Sequence, residues 1–141
     1  MGYLIDTNVL SELQKGKKCQ AGVQAWYAAV DSEDIYLSVL VIGEIRLGIE
    51  RLRRRDAIQS ERLEQKLLAV ETLMSGRILP ITQTIAECWG RLNAPNLLPV
   101  IDGLLAATAL VHDLTLVTRN VRDVERSGVG LLNPFLEGSE I

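Results

Sequence analysis

Four acidic residues stand where short apolar runs stop. Asp6 follows Tyr3-Leu4-Ile5, Glu44 follows Val39 to Gly43, Asp102 follows Val100-Ile101, and Asp123 comes shortly after Leu116-Val117-Thr118. If those runs are parallel strands, the acids converge, because the crevice of an open α/β sheet lies outside the carboxyl ends of its strands. Carboxylates crowded into one low-dielectric pocket repel, so they are stable together only with a divalent cation or with raised pKa values. The pattern therefore asks for a metal. Other chemistries lack their parts. The only histidine, His112, closes an apolar helical run where the helix dipole favours it, which leaves Ser/His/Asp and Cys/His schemes without a base. Cys19 and Cys88 have no second Cys or His at ligand spacing, so structural zinc is excluded and reduced thiols are expected.

Taken singly, each acid has a plainer role. Asp6 caps a helix starting at Thr7, and Asp102 is a first-turn acid favoured by the dipole of its helix. Glu44 is harder to dismiss, since it sits among Val41, Ile42, Ile45 and Leu47 and is expected to be buried unless paired or bound to a cation.

The elements that must position these residues alternate along the chain. Tyr3-Leu4-Ile5, Ile35 to Ser38, Ile78 to Ile81, Leu114 to Thr118 and Gly130-Leu131-Leu132 have the length and composition of short strands, the last at an edge. Between them, helical spacing appears over Thr7 to Lys15, Val23 to Val30, Val39 to about Arg54, Asp56 to Met74, Thr82 to Leu92 and Asp102 to His112. Ile58, Leu63, Leu67, Val70 and Leu73 form the stripe of the fourth helix, and Ser75-Gly76 stops it. Alternating strands and helices predict an α/β fold, with a mostly parallel central sheet of four to five short strands flanked by helices.

The chain has 141 residues, which predicts one domain over 1–141. It is 48% hydrophobic and 23% charged, a globular balance that argues against disorder. The apolar run from Leu104 to Val111 is too short to cross a bilayer, and the N-terminus has no basic region ahead of its first apolar run. Met1-Gly2 is not a myristoylation start, because Asp6 stands where Ser or Thr is required. A cytoplasmic protein without a membrane role is expected.

Leu4-Ile5-Asp6-Thr7-Asn8-Val9, Ile42-Gly43-Glu44-Ile45 with Gly48, Asp102 heading Leu104-Leu105-Ala106-Ala107-Thr108-Ala109, and Leu116-Val117-Thr118-Arg119-Asn120 followed by Asp123 resemble, in order, the motifs of the PIN domain. More narrowly, the chain resembles the VapC and FitB type of bacterial toxin ribonuclease. The resemblance implies an endoribonuclease whose acids hold Mg2+ or Mn2+. Asp6, Glu44 and Asp102 fall on the three most dependable family acids, and Asp123 on a fourth, more variable one. The family often has an aromatic residue after that fourth acid, whereas this chain has Val124, and Asn120 is a competing candidate nearby. Thr7, Asn8 and Thr118 resemble the small polar residues that line the family's pocket.

Magnesium commonly takes one or two direct carboxylates and keeps several waters, so the other acids can act through water. A metal-activated water attacking in line predicts 5′-phosphate and 3′-hydroxyl ends, with no protein nucleophile. Basic residues supply the grip. The net charge is −3, yet Arg46, Arg51, Arg53, Arg54 and Arg55 cluster on one helix, and Lys15, Lys17 and Lys18 surround the end of the first. Such a face is commonly solvated surface, partly neutralised here by Glu50 and Asp56. Beside an acidic cleft, Lys15, Lys17, Arg46, Arg53 and Arg54 become candidates for holding an RNA backbone. Aromatics make up only 4%, which favours a structured RNA read by shape over a single strand gripped by stacking.

The resemblance also implies partners: a small antitoxin, whose amphipathic helix the segment from Val39 to Met74 would receive, and a second copy of the chain in a homodimer. Operator DNA is expected to be bound only through the antitoxin. Competing readings fit less well. A haloacid-dehalogenase phosphotransferase needs a second acid where Asn8 stands, and a receiver domain needs an early acidic pair. A structure-specific DNA nuclease shares the acidic pocket but is usually longer, and a non-catalytic PIN module would lack one of the three principal acids.

Overall fold

A computed structural model describes residues 1–137. Its elements run β1 (Gly2–Ile5), α1 (Thr7–Leu13), α2 (Ala21–Ala29), β2 (Ile35–Ser38), α3 (Val39–Arg53), α4 (Ala57–Leu73) and β3 (Ile78–Leu79). The chain continues through α5 (Gln83–Asn93), α6 (Val100–His112), β4 (Leu114–Val117), α7 (Val121–Val124), β5 (Leu131–Leu132) and α8 (Pro134–Glu137). All strand pairs are parallel in a five-stranded sheet of order β3-β2-β1-β4-β5, flanked by helices. After β1 the chain builds outward on one side through β2 and β3, then crosses to place β4 and β5 on the other. The switch point therefore lies between β1 and β4, whose residues pair from Gly2 with Leu114 to Ile5 with Val117. Ligand crevices of open α/β sheets form at this place.

The central strands carry apolar residues on both faces, as a sheet covered on both sides requires: Leu4, Ile5, Leu37, Leu116 and Val117 are all buried. Ala106, Ala107 and Ala109 of α6 are buried too, small residues that let this helix approach the sheet closely. Side-chain caps start several helices: Asp6 for α1, Gln20 for α2, Ser38 for α3, Asp56 for α4 and Thr82 for α5.

Several expected boundaries move. α1 ends at Leu13, and Gly16–Lys18 forms a 3-10 turn. α2 begins at Ala21 because the Gln20 side chain caps it at Val23. β3 is only two residues long, and α6 begins at Val100, two positions before Asp102. The predicted stripe of α4 is only partly buried: Leu67 is 1% exposed, whereas Ile58 and Leu73 are 73% and 68% exposed. The reason is that α4 packs chiefly on α3 as one arm of a helical hairpin, which covers a narrower face than a sheet would. Among the described residues no helix is long and apolar enough to cross a membrane.

Candidate active site

Asp6 follows the last residue of β1, and its backbone N–H still bonds to Val117 O of β4 at 3.1 Å. An extended backbone there (φ −85°, ψ 177°) turns the carboxylate over the start of α1, where Oδ1 accepts from the Val9 amide at 2.9 Å. Oδ2 accepts from the Thr118 hydroxyl at the end of β4. The same hydroxyl accepts from the Asn120 amide at 3.0 Å. Asp6 is 4% exposed. Burial raises its pKa and the negative charge of Glu44 pushes the same way, against the hydrogen bonds from Thr118 and Val9.

Glu44 comes from the second turn of α3 and is exposed, contrary to the expectation of burial. Val41, Ile45 and Ile49 follow one another at four-residue spacing and take the inward face, which leaves Glu44 on its flank. Thr7, first residue of α1, donates its hydroxyl to Glu44 Oε1 at 2.5 Å. Asp102 lies in the first turn of α6 and is half-buried. Its pKa is raised first by burial, then by the charges of Asp123, Asp6 and Glu44.

Asp6, Thr7, Asn8, Glu44, Asp102 and Asn120 share one cleft of about 450 Å³, whose remaining wall is Pro99, Val100, Ile101 and Leu105. Asp123, exposed on α7, is not part of that lining, although its charge is felt at Asp102. No basic side chain lines the cleft. The donors are all oxygens of the kind hard divalent cations prefer, and their mutual repulsion has no counter-charge among the lining residues. Among the described residues, no three His, Cys, Asp or Glu side chains are drawn together as a ready ligand set.

The basic candidates divide. Arg46 pairs with Glu50 at 3.2 Å and Glu64 at 2.7 Å, and Arg53 with Glu50 at 3.0 Å and Glu64 at 2.6 Å. The pairs with Glu64 staple α3 to α4, and those with Glu50 lie within α3. Lys15 pairs with Glu12 at 3.0 Å. Lys17 and Arg54 make no ion pair among the described residues, and Lys17 borders a larger cavity of about 570 Å³. That cavity lies between α1, α2 and α4 and is walled mainly by Leu10, Leu13, Tyr27, Val70, Leu73 and Met74. Neither it nor the apolar wall of the acidic cleft was legible as such in the sequence. Pro99 ahead of a helix was the one available signal for the wall.

The chain is similar to known proteins over most of its length. The PIN domain profile matches residues 3–126. Toxin FitB of Neisseria gonorrhoeae is 34% identical over 139 residues, covering 94% of this chain and 97% of that protein. A VapC ribonuclease of Sinorhizobium fredii is 32% identical, covering 94% and 96%. Among solved structures, the crystal structure of FitAcB from Neisseria gonorrhoeae superposes with a TM-score of 0.86 at 31% identity, covering 94% of this chain and 98% of that one. A structure of FitAB bound to a DNA fragment gives 0.85 at 29% identity, covering 94% and 95%.

Proposed function

The chain belongs to the PIN-domain family, closely related to VapC and FitB toxins of toxin–antitoxin pairs, and on that premise we propose that residues 1–141 form one PIN domain acting as a metal-dependent endoribonuclease. The observation that carries the reading is the cleft at the β1/β4 switch point, which gathers Asp6, Glu44 and Asp102 without a basic side chain in its lining. The donor chemistry fits Mg2+ or Mn2+, which Asp6 and Asp102 would hold with Glu44 directly or through water, while Asp123, outside the cleft lining, would act through water. When bound, a divalent ion supplies positive charge at the reacting phosphoryl group and acidifies water.

The chain's own groups do the rest. The Val9 amide and the Thr118 hydroxyl fix the orientation of Asp6, and the Thr7 hydroxyl holds Glu44 toward the cleft. Pro99, Ile101 and Leu105 keep one wall apolar and so limit the water that reaches the acids. Asn8 and Asn120 offer amide groups to a phosphate or a water. In the reaction a water oxygen bonds to phosphorus as the bond from phosphorus to the 3′-oxygen breaks. The leaving oxygen takes up a proton, which gives 5′-phosphate and 3′-hydroxyl ends. Lys15, Lys17, Arg46, Arg53 and Arg54 are the proposed backbone grip. Lys17 and Arg54 are the stronger members, because the others are engaged by carboxylates.

A toxin–antitoxin complex from Klebsiella pneumoniae, 27% identical with a TM-score of 0.68, and the FitAB–DNA structure support a small antitoxin as regulator. The apolar cavity between α1, α2 and α4 suits an amphipathic helix of that partner. Its α4 wall lies in the predicted segment, while α1, α2, the turn after α1 and the strands β1 and β2 supply most of the rest. Operator DNA is then reached through the antitoxin, and a homodimer is the expected assembly. The test is digestion of total cellular RNA, beside single-stranded and flapped DNA, with and without Mg2+ or Mn2+. The wild-type protein is compared with Asp6→Asn and Asp102→Asn preparations made identically. Discrete metal-dependent RNA fragments absent from both variants support the reading, whereas equal cleavage by the variants, or products ending in 2′,3′-cyclic phosphate, overturns it.

A further inference from the structure

Three consecutive residues at the end of β4 divide their side chains between two places. Thr118 bonds Asp6, and Asn120 borders the acidic cleft while its amide bonds the Thr118 hydroxyl. Arg119, between them, lays its guanidinium over the ring of Phe135, 3.9 Å from the centroid.

Phe135 is itself firmly held. It is 8% exposed, its carbonyl accepts from Gln20 Nε2 at 3.0 Å, and its amide bonds Asn133 Oδ1 at 3.0 Å. Gln20 is tied in turn to α1, because its backbone N–H donates to Glu12 Oε2 at 2.8 Å. Glu12 is 7% exposed and takes no part in the cleft. Its carboxylate is kept below the usual range by Lys15 first, then by the Gln20 amide, with Arg119 adding a favourable charge from further off. Arg119 therefore covers an electron-rich ring and adds to the field at a buried anion, neither of which lines the acidic cleft.

We propose that Arg119 is a positioning residue of the acidic cleft: anchored on Phe135, it fixes the Thr118–Asn120 segment so that the Thr118 hydroxyl and the Asn120 side chain meet Asp6 and the cleft. This rests on the reading of the cleft as a divalent-cation site. A three-residue segment has few ways to place its first and third side chains once the second is fixed, so a modest cation–π interaction acts through geometry. α8 thereby becomes part of the site's support, although it lies far from Asp6 in sequence.

The test is Mn2+ affinity, read as free Mn2+ by electron paramagnetic resonance, on the full chain and on Arg119→Ala, Phe135→Leu, Phe135→Tyr and the Arg119→Ala/Phe135→Leu double variant. Phe135→Leu keeps an apolar side chain and removes the ring face; Phe135→Tyr keeps the face. The expected result is an affinity weakened roughly three- to fivefold in each of the first two, no more in the double variant, and wild-type affinity in Phe135→Tyr. Because Arg119 is exposed, its alanine variant is expected to fold even if Phe135→Leu does not. Unchanged Mn2+ affinity in Arg119→Ala, or additive losses in the double variant, overturns the inference while leaving the metal site intact. Absence of Mn2+ binding by the wild-type protein overturns both.

Discussion

The Thr118 hydroxyl donates to Oδ2 of Asp6 across 112 residues of sequence and joins the ends of the two strands that flank the switch point. Oδ1 of the same carboxylate caps α1 through the Val9 amide. Capping explains the direction of Asp6 but not its burial, since caps work at exposed helix ends. Burial raises its pKa in spite of both hydrogen bonds. The fold therefore holds a carboxylate where water would solvate it better, a cost that a structural cap alone does not require.

Thr118→Val keeps the side-chain shape and deletes the hydroxyl, leaving Asp6 Oδ2 and the Asn120 amide without their partner. An unsatisfied buried polar group costs about 1–3 kcal/mol, so thermal denaturation should show a Tm lower by roughly 3–9 °C. Thr118→Ser restores the donor and should melt within roughly 2 °C of wild type. Equal melting of the valine variant would show that the bond contributes nothing.

The pKa values of Asp6 and Asp102 are both raised above 3.8, the ordinary value. Between that value and the raised one the folded state binds more protons than the unfolded state, so stability falls as pH rises through the window. Through these two groups, metal-free protein in EDTA should consequently gain Tm as pH is lowered from 7 toward that window. Mn2+ should raise Tm at pH 7 and do so less at the acidic end, where protons compete for the same oxygens. Asp102→Asn, which removes one of the repelling charges, should raise the metal-free Tm at pH 7 by roughly 2–4 °C and abolish most of the Mn2+ increment. Glu12, Glu50 and Glu64, whose pKa values are lowered, contribute with the opposite sign. Differential scanning calorimetry therefore compares wild type with Asp102→Asn at each pH, and a metal-free Tm difference (wild type minus variant) that rises with pH through the window would contradict the assignment.

Part of this was legible because Asp6 directly follows a strand and a strand end is a local signal, whereas the apolar runs before Glu44 and Asp102, Val39 to Gly43 and Val100-Ile101, are the first residues of α3 and α6 and not strands. Tyr3-Leu4-Ile5 before Asp6 gave both the strand and the acid, and the parallel sheet then brought Glu44 and Asp102 to the same cleft. Features that depend on what faces what were not legible. Glu44 is exposed because the inward face of α3 follows Val41, Ile45 and Ile49, a choice made by packing rather than by the apolar neighbours of Glu44. Partial neutralisation of Arg46 and Arg53 by Glu50 was legible, but their shorter pairs with Glu64 were not, because Glu64 lies on the next helix. α7 and α8 span four residues each, too few for helical periodicity to show. The stacking of Arg119 on Phe135 was hidden with them.

The ion pairs of α3 separate two classes of arginine experimentally. Arg53→Gln removes a staple to Glu50 and Glu64, so its effect should appear in stability, and only modestly, because both side chains are partly solvated. Arg54→Gln removes a cation with no ion pair among the described residues and should instead lower RNA affinity, with the salt slope of log K shallower by about one for each phosphate that Arg54 neutralises. Fluorescence anisotropy on an Asp102→Asn background, which prevents cleavage, measures this. Identical slopes for Arg54→Gln and its parent would remove Arg54 from the grip.

Gly103 follows Asp102, and a Cβ built there would meet Trp89 Nε1 at 3.2 Å, Trp89 Cδ1 at 3.3 Å and Leu98 Cβ at 3.4 Å. Alanine gains up to about 1 kcal/mol over glycine inside a helix, while overpacking costs about 1–3 kcal/mol. Strain should therefore win, and Gly103→Ala should destabilise the protein modestly. The Trp89 indole N–H is buried without a hydrogen-bond partner, so Trp89→Phe deletes an unsatisfied donor as well as part of the clashing edge. The Gly103→Ala/Trp89→Phe double variant is accordingly expected to be more stable than the sum of its singles predicts, by about 0.5–1 kcal/mol. Since the same close approach sets how near the first turn of α6 comes to α5, Gly103→Ala should also displace Asp102 and weaken Mn2+ binding, and the double variant should recover part of that affinity. Additive stabilities together with unchanged Mn2+ affinity would show that α6 is held by other interactions and that the indole merely fills space.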